Sequence, residues 1–312
     1  MTLEEVPGVC AAPPPRPAGE AARVSLWTQS IVSGLLSGGL YAMMSLGMSL
    51  SWGVLKIINL AHFSFILLSG YITYQLAFSY GVDPFLAILV CVPIFALLGM
   101  ALQWAFDRLE ISEFESLLLT FGVFIIFESL ASTIWTADFR RMDTVQNPYQ
   151  SQSVWVGDLA LPVPQLAAFV VAVVVALGTR YLMDRTDFGR AVRALSQDRD
   201  VARAFGIDPH RVAMRLAGLA AAFAAIGGVF IAMSRALFPG LAVEWFGIVF
   251  SVVILGGLGS TLGTLIAAVI IGLVGGIATV VGGPPMAPLA IFLVLIATLL
   301  FRPQGIMGRA SA

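Results

Sequence analysis

Several apolar windows of this sequence extend for about 20 residues with one ionisable residue or none. The hydrocarbon core of a bilayer is about 30 Å thick, and a helix needs roughly 20 residues to cross it. The windows do not alternate apolar with polar residues, as the strands of a transmembrane barrel do. We therefore predict membrane-spanning helices at residues 27–50, 59–79, 85–106, 115–136, 164–183, 212–233, 243–258, 262–282 and 286–301.

The composition also indicates a membrane protein. Hydrophobic residues make up 59% of the 312 residues and charged residues 11%, against about 25% charged in a soluble domain. The mean hydropathy is +0.93, and a net charge of −1 does not suggest nucleic acid binding. Cys10 and Cys91 are the only cysteines, which favours neither a disulfide framework nor a metal site. The predicted fold is an all-α, polytopic transmembrane helical bundle of roughly eight to ten spans, some broken or re-entrant.

The N-terminal part leaves the topology open. Residues 1–24 are rich in Pro and Ala and contain no apolar run, which predicts a disordered tail before a membrane domain at 25–312. The apolar region 27–58 is too long for one straight span, and Gly53 and Asn59 suggest a break or a re-entrant piece. Both the exact number of spans and the side of the N-terminus depend on that break.

Basic residues gather in one loop. Eight of the 17 basic residues lie between Arg180 and Arg215, and the positive-inside rule places a loop of this kind in the cytoplasm. This predicts a cytoplasmic loop at about 184–211. Counting back through the spans places 107–115 on the same side and 138–158 on the outer side.

The basic loop contains the signals of two short helices. Asp187 and Asp198 are predicted to cap them, Gly206 to end the second, and Asp208 with Pro209 to begin the next span. Such a helical loop could dock into another protein. An ordinary solvated loop has the same spacing and remains the alternative.

Polar residues inside the spans are candidates for a transport pathway, because their burial in lipid is costly. Asn59, His62 and Ser64 cluster at the start of the second span, and Glu128 lies in the fourth. For any single member of the cluster a structural hydrogen bond is the favoured role, and for Glu128 an internal hydrogen bond is an equal alternative. A metal site at His62 is not favoured, since His210 is the only other histidine.

Glycine pairs spaced four residues apart predict close helix packing, because they place small residues on one helical face. The dense segment "GGLGS" at 256–260 predicts a break between two spans. The predicted packing pairs are Gly34 and Gly38, Gly259 and Gly263, and Gly272 and Gly276.

Four stretches resemble one family of membrane proteins. "GRAVRALSQDRDVARAFGIDPHRV" is similar to the cytoplasmic coupling loop in permease subunits of bacterial ABC importers for branched-chain amino acids. "GGLYAMMSLGMSLSWGVLKIINLAHFSFILLSGY", "VILGGLGSTLGTLIAAVIIGL" and "FRPQGIMGR" agree with this family in order, from about residue 30 to 310. The resemblance implies an inner-membrane permease subunit of the Liv type, which forms the pathway for branched-chain or other hydrophobic amino acids.

The resemblance also implies partner proteins. The sequence has no G-x-x-x-x-G-K-[ST] phosphate loop, since Lys56 is the only lysine and follows Leu55. The chain is therefore expected to need no cofactor and to be no enzyme, with ATP bound and hydrolysed by two separate subunits. A second, similar permease in a heterodimer and an extracytoplasmic substrate-binding protein would complete the importer. The residues expected to couple to the ATPases are Gly189, Arg190, Arg193, Asp198, Ala202, Gly206 and Ile207.

One position departs from the family pattern. The family usually continues "NLAH" with Gly and an acidic residue, whereas this chain has Phe63 and Ser64. Phe63 is therefore a pathway candidate that either faces the cavity or packs against a helix, and packing is favoured. Permeases of this family also serve urea, short amides and other small solutes, so the exact substrate stays open.

Two other classes of function are alternatives to a transporter subunit. A secondary transporter or channel would explain the spans, but the sequence has no convincing inverted repeat. An intramembrane enzyme would need a nucleophile with a base, or a His-rich metal set, within the bilayer. The predicted spans contain neither.

Overall fold

The computed structural model describes residues 20–308, without the side chains of residues 20–25 and 113. The helices are α1 (Glu20–Leu50), α2 (Ala61–Tyr80), α3 (Ala87–Arg108), α4 (Glu113–Trp135), α5 (Val163–Arg185), α6 (Asp187–Gln197), α7 (Arg199–Ala204), α8 (Pro209–Ser234), α9 (Leu241–Gly256), α10 (Thr261–Gly282) and α11 (Met286–Phe301). A π-helix, Ser51–Leu55, follows α1, and the strands β1 (Ser153–Val156) and β2 (Leu159–Pro162) form an antiparallel hairpin. The predicted all-α bundle is confirmed.

The long helices of the described residues coincide with the predicted spans, and most boundaries agree within a few residues. Two helices, α9 and α11, are apolar but only 16 residues long. The break predicted in "GGLGS" is present, because α9 ends at Gly256 and α10 begins at Thr261. Within residues 20–308, six helical segments are long and apolar enough to cross a membrane: Leu26–Leu55, Ala87–Arg108, Phe114–Trp135, Val163–Arg185, Pro209–Ser234 and Thr261–Gly282.

The start of α1 lies inside the predicted tail. Residues 1–19 lie outside the described residues, and the tail prediction is not tested there. From Glu20 onward the chain is already helical. Glu and Ala are favourable helix residues, so "EAA" at 20–22 extends the helix of the first span.

The predicted break after the first span lies at the end of the π-helix. Lys56 adopts a left-handed conformation with φ of 56°, and the chain is not helical again until Ala61. The π-helix packs against α6. Near the other end of α1, the side-chain amide of Gln29 exchanges two hydrogen bonds of 2.8 and 3.1 Å with the backbone of Ala160 in β2. The end of α1 therefore lies on the same side of the bundle as α6, and the start of α1 lies on the side of β2.

The helices α2 and α8 form the centre of the bundle, and most of their side chains are buried. The sequence of α8 is rich in Ala and Gly, which lets neighbouring backbones approach closely. A Cβ atom at Gly228, for example, would overlap the carbonyl oxygen of Ile66 in α2. In contrast, α4, α5 and α10 expose many Leu, Ile and Val side chains, as expected for helices that face lipid or another membrane subunit.

Glycines bring α1 and α10 into backbone contact. A Cβ atom at Gly34 would lie 2.6 Å from the carbonyl oxygen of Gly272, and one at Gly38 would lie 2.9 Å from the carbonyl oxygen of Ala268. A Cβ atom at Gly276 would lie 2.6 Å from the carbonyl oxygen of Ser30. Real Cβ atoms essentially never come this close to other atoms, so the crossing depends on these glycines.

The pair Gly259 and Gly263 does not share a helical face, which corrects the prediction. Gly259 lies before α10 with φ of 77°, and its N–H donates to the carbonyl of Ser49 at 3.1 Å. Gly263 lies in the first turn of α10, where a Cβ atom would overlap the carbonyl oxygen of Gly256. Gly259 provides a left-handed backbone conformation and Gly263 allows close approach, and the two lie on opposite sides of a helix start. The spacing of four residues alone could not reveal that start.

The outer loops are fastened to each other by hydrogen bonds. The backbone of Arg140 pairs with that of Leu237, which lies between α8 and α9. The side chain of Asn147 is buried and donates to the carbonyl of Met233 at 2.9 Å. The hydroxyl of Tyr149 donates to the carboxylate of Asp83 at 2.7 Å, and this hydrogen bond raises the pKa of Tyr149 above its ordinary value.

Candidate coupling surface and membrane pathway

The helix α6 begins one residue earlier than its predicted cap. Thr186, not Asp187, is the N-cap, and its hydroxyl accepts from the N–H of Gly189 at 3.2 Å. Asp187 is the first helical residue, where its negative charge favours the helix N-terminus. It forms an ion pair with Arg190, and both side chains are exposed.

Two of the predicted coupling residues hold α6 against the end of α5. Gly189 is buried, and a Cβ atom there would overlap the backbone of Met183 in α5. The guanidinium of Arg193 donates to the carbonyl oxygen of the same residue. That carbonyl belongs to the last turn of α5, where carbonyl groups have no N–H donor within their own helix. Gly189 and Arg193 therefore set the position of α6 and do not form its outer surface.

The second short helix follows the predicted pattern. The carboxylate of Asp198 accepts from the N–H groups of Asp200 and Val201 at 2.8 and 3.0 Å, and so caps α7. Gly206 follows the helix with φ of 81°, and the N–H of Ile207 donates back to the carbonyl of Ala202 at 3.1 Å.

The structure also continues the pattern into α8. Asp208 caps this helix and Pro209 is its first residue, as predicted. Ala202 is buried, so it anchors α7 to the rest of the loop.

The solvent-exposed face of this loop contains a groove that the sequence did not indicate. The groove has a volume of about 650 Å³ and lies between α6 and α7. Val201 is 52% exposed and Phe205 is 82% exposed beside it. We call the solvent-exposed face of α6 and α7 around this groove the coupling surface. The residues that line it are Asp187, Arg190, Ala191, Ala194, Gln197, Asp198, Val201, Ala202, Phe205 and Ile207.

The polar residues predicted at the start of the second span lie around the first turn of α2. His62 is buried, and its Nε2 lies 2.8 Å from the carbonyl oxygen of Met44 in α1, to which it donates. The hydroxyl of Ser64 donates to the carbonyl of Phe124 at 3.3 Å. The side-chain oxygen of Asn59, by contrast, is buried and accepts no hydrogen bond. Asn59 is thus the member of this cluster with spare hydrogen-bonding capacity.

Phe63 lies inside an aromatic cluster between α2 and α9. Its side chain is fully buried, and its ring centroid lies 4.2 Å from that of Phe246 and 6.1 Å from that of Phe250. Phe124 of α4 also contacts Phe246, with a centroid distance of 5.2 Å. This position agrees with the packing alternative for Phe63.

Glu128 makes an internal hydrogen bond. Its carboxylate accepts from the N–H of Gly240 at 2.5 Å, and Gly240 is the N-cap of α9. A carboxylate at this position satisfies one of the free N–H groups of the helix and interacts favourably with its dipole. Within residues 20–308, apart from the undescribed side chains, no group of three or more His, Cys, Asp or Glu residues could hold a metal ion.

Comparison with known proteins identifies the family. Residues 30–301 match the family model described as branched-chain amino acid transport system / permease component. The chain belongs to this permease family. The match covers all the long helices except the start of α1.

Relatives of the permease family come from distant organisms. The high-affinity branched-chain amino acid transport system permease protein BraD of Pseudomonas aeruginosa is 25% identical over 91% of this chain and 96% of its own length. LivH of Salmonella typhimurium, with the same description, is 23% identical over 90% and 95%. The probable branched-chain amino acid transport permease protein LivH of Methanocaldococcus jannaschii is 23% identical over 88% and 90%. No solved structure gives a significant match.

We expect replacement of Phe63 in this permease to lower stability without changing the substrate range. Phe63→Gly removes a fully buried ring and should cost about 3–5 kcal/mol of unfolding free energy, because the aromatic cluster cannot close the space. Phe63→Leu should cost less. Thermal unfolding of the purified variants measures the loss. A changed order of uptake rates for leucine, phenylalanine and a short amide, with stability retained, would contradict the packing role.

We expect replacement of Gly206 to weaken coupling to ATP hydrolysis. The cause would be backbone strain at this position, and not a clash of the new side chain with its neighbours. A Cβ atom at Gly206 meets no atom within 4 Å, but its φ of 81° is unfavourable for a β-branched residue. Gly206→Val should therefore shift the end of α7 and lower substrate-stimulated ATP hydrolysis about tenfold, given strain of about 1–2 kcal/mol. Gly206→Asn is the matched control, since Asn tolerates this conformation. Equal activity of the two variants would remove the backbone argument.

Proposed function

We propose that the chain is a permease subunit of an ABC importer and forms part of the membrane pathway for branched-chain amino acids. The observation that carries the proposal is the match of residues 30–301 to the permease family. The relatives, from bacteria and an archaeon, are all named as permease proteins of branched-chain amino acid transport. We further propose that the protein resides in a plasma membrane of the bacterial inner-membrane type.

We propose that two partner subunits bind and hydrolyse ATP, and that the coupling surface is where they contact this chain. The sequence contains no phosphate loop of its own. Val201 and Phe205 give the surface exposed apolar contacts, and the groove beside them can accept a complementary element. Arg190 and Asp198 border the groove, while Gly189 and Arg193 keep α6 in position behind it.

We propose that Asn59 contributes to the pathway, since its unpartnered oxygen can accept a hydrogen bond from a substrate ammonium group. Ser64 is a weaker candidate, because its hydroxyl is already engaged. His62, Phe63 and Glu128 support the pathway through packing and internal hydrogen bonds. Their contacts position α2 and α9 beside it.

We propose that the complete importer also contains a second, similar permease and an extracytoplasmic substrate-binding protein. Two membrane subunits are needed to face two ATPases. The exposed apolar faces of α4, α5 and α10 provide surface for such a membrane partner as well as for lipid.

Purification of the affinity-tagged chain from its native membrane tests these partners. We expect two ATPase subunits and one distinct permease to co-purify in a fixed stoichiometry. A fully active complex with two copies of this chain and no second permease would overturn the heterodimer. Isolation of the chain in active form without any ATPase would overturn the importer itself.

A further inference from the structure

A second cavity lies on the side assigned to the cytoplasm, and the transport pathway described above does not use it. Its volume is about 310 Å³, at the lower end of the range of roughly 300–1,000 Å³ for small-molecule sites. Three segments form its walls: the end of the π-helix at 54–57, the connection between α3 and α4 at 106–112, and the junction of α6 and α7 at 195–199. These segments are distant in sequence, and the cavity exists only where they meet.

The lining combines both signs of charge with an apolar wall. Lys56 and Arg199 carry positive charge, and Asp107 and Asp198 carry negative charge. The carboxylate of Asp198 already caps α7, so Asp107 is the acidic residue left to meet a ligand. The aromatic side chain of Phe106 and aliphatic residues such as Ile111 supply apolar surface. A simple anion or cation would meet a group of like charge here. A zwitterion with an apolar side chain can satisfy all three parts of the lining.

Asp107 supplies a carboxylate to the lining of the cavity. Its side chain is only 13% exposed. One carboxylate oxygen, Oδ1, accepts from the amide of Gln103 at 3.2 Å. The other, Oδ2, has almost no accessible surface and lies 3.3 Å from Nδ1 of His210, with which it forms an ion pair when His210 is protonated. A carboxylate oxygen can accept more than one hydrogen bond, so an ammonium group in the cavity would donate a charge-assisted one to Oδ1.

We propose that this cavity is a cytoplasmic binding site for a free amino acid with an apolar side chain. The α-ammonium group would bind Asp107, the α-carboxylate would bind Lys56 and Arg199, and the side chain would lie against the apolar wall. This ligand is the class that the permease imports, so the inference rests on the proposed function. A peptide segment of an ATPase subunit is the competing occupant.

The position of the site indicates regulation. A bound amino acid would join the α6–α7 junction, which borders the coupling surface, to the π-helix and to the α3–α4 connection. This would oppose relative movement of α6 and the π-helix, which pack against each other. Binding from the cytoplasm would therefore slow import when the internal amino acid concentration is high.

Binding of radiolabelled leucine to the purified complete complex in lipid nanodiscs tests the site directly. Asp107→Asn and Lys56→Gln each remove one charge that a zwitterion would contact, and each should weaken binding at this site about tenfold or more. Arg108→Gln is the matched control, because Arg108 is exposed, adjacent in sequence and outside the lining. The same leucine affinity in the parent complex and in all three variants would overturn the proposal.

Inhibition from the inside separates this site from the transport pathway. Proteoliposomes would contain ATP and increasing leucine in the lumen, on the side of the ATPases, and would receive labelled leucine and the binding protein outside. We expect lumenal leucine to inhibit uptake, and each variant is compared with its own uninhibited rate. The concentration for half-inhibition should rise about tenfold or more in Asp107→Asn and Lys56→Gln, but not in Arg108→Gln.

The outcomes distinguish this inference from the proposed function. Uptake that lumenal leucine does not inhibit, or inhibits equally in every variant, would overturn the cytoplasmic site and leave the importer intact. A complex that takes up no leucine would overturn the proposed substrate, and the nanodisc binding comparison would then decide the site alone. Leucine binding that appears only after removal of the ATPase subunits would show that a segment of the ATPase fills the cavity.

Discussion

Phe205→Asp should abolish substrate-stimulated ATP hydrolysis in the assembled importer while the permease remains folded. The side chain is 82% exposed at the end of α7, so the substitution removes few contacts within this chain. Surface substitutions of this kind usually change stability by no more than about 0.5 kcal/mol. A charge placed in an apolar interface must be desolvated without a partner, which should weaken docking of the ATPase by about 2–5 kcal/mol.

Phe205→Leu is the matched control, because it keeps an apolar side chain at the same position. We expect it to retain most of the stimulated hydrolysis. Val201→Asp, on the same side of the groove, should reproduce the loss. ATP hydrolysis by the reconstituted complex, measured with and without substrate-loaded binding protein, gives the comparison. Normal stimulation in both aspartate variants would show that the coupling surface is an ordinary solvated loop.

Gly272→Ala should prevent stable packing of α1 against α10, although it adds only one methyl group. That methyl group would overlap the carbonyl oxygen of Gly34 and lie 2.7 Å from the backbone nitrogen of Gly38. The neighbouring atoms belong to the backbone of another helix and cannot rotate away. We expect a loss of about 1–3 kcal/mol or more in the free energy of unfolding, as for other overpacked sites.

Gly275→Ala in the same helix is the matched control. A Cβ atom there would meet only the side chains of Ile291 and Ala287, at 3.5 and 3.9 Å, which are ordinary contacts. Because Ala favours a helix over Gly by about 0.5–1 kcal/mol, this variant should be as stable as the parent or more stable. Thermal unfolding in detergent separates the two variants. Equal unfolding temperatures would contradict the close α1–α10 crossing.

The positions of the spans could be predicted because membrane insertion depends on local composition. An apolar run of sufficient length forms a helix wherever it lies in the bundle, and nearly every boundary followed from the run itself. The caps Asp198 and Asp208 were also found, since a cap bonds to N–H groups only two or three residues away. Asp187 was assigned wrongly because Thr186 beside it is an equally good cap, and the pattern cannot choose between neighbours.

The functional residues were harder to predict because their partners are distant in sequence. Glu128 bonds to Gly240, more than 100 residues away, and Phe63 packs against Phe246. Nothing in the local pattern of either residue distinguishes such a contact from a position in an open pathway. The exposed apolar residues Val201 and Phe205 were missed, although apolar residues spaced four apart in a charged loop were a usable signal. The packing prediction for Gly259 and Gly263 was wrong for a local reason, because a helix start lies between them.

Uptake of radiolabelled leucine into proteoliposomes tests the central claim most directly. The vesicles would contain this chain, a second permease and two ATPase subunits, with ATP in the lumen and the binding protein outside. We predict that uptake requires both lumenal ATP and this chain. A non-hydrolysable ATP analogue should not support it. Uptake that proceeds without ATP under an ion gradient, or that persists when this chain is omitted, would contradict the account.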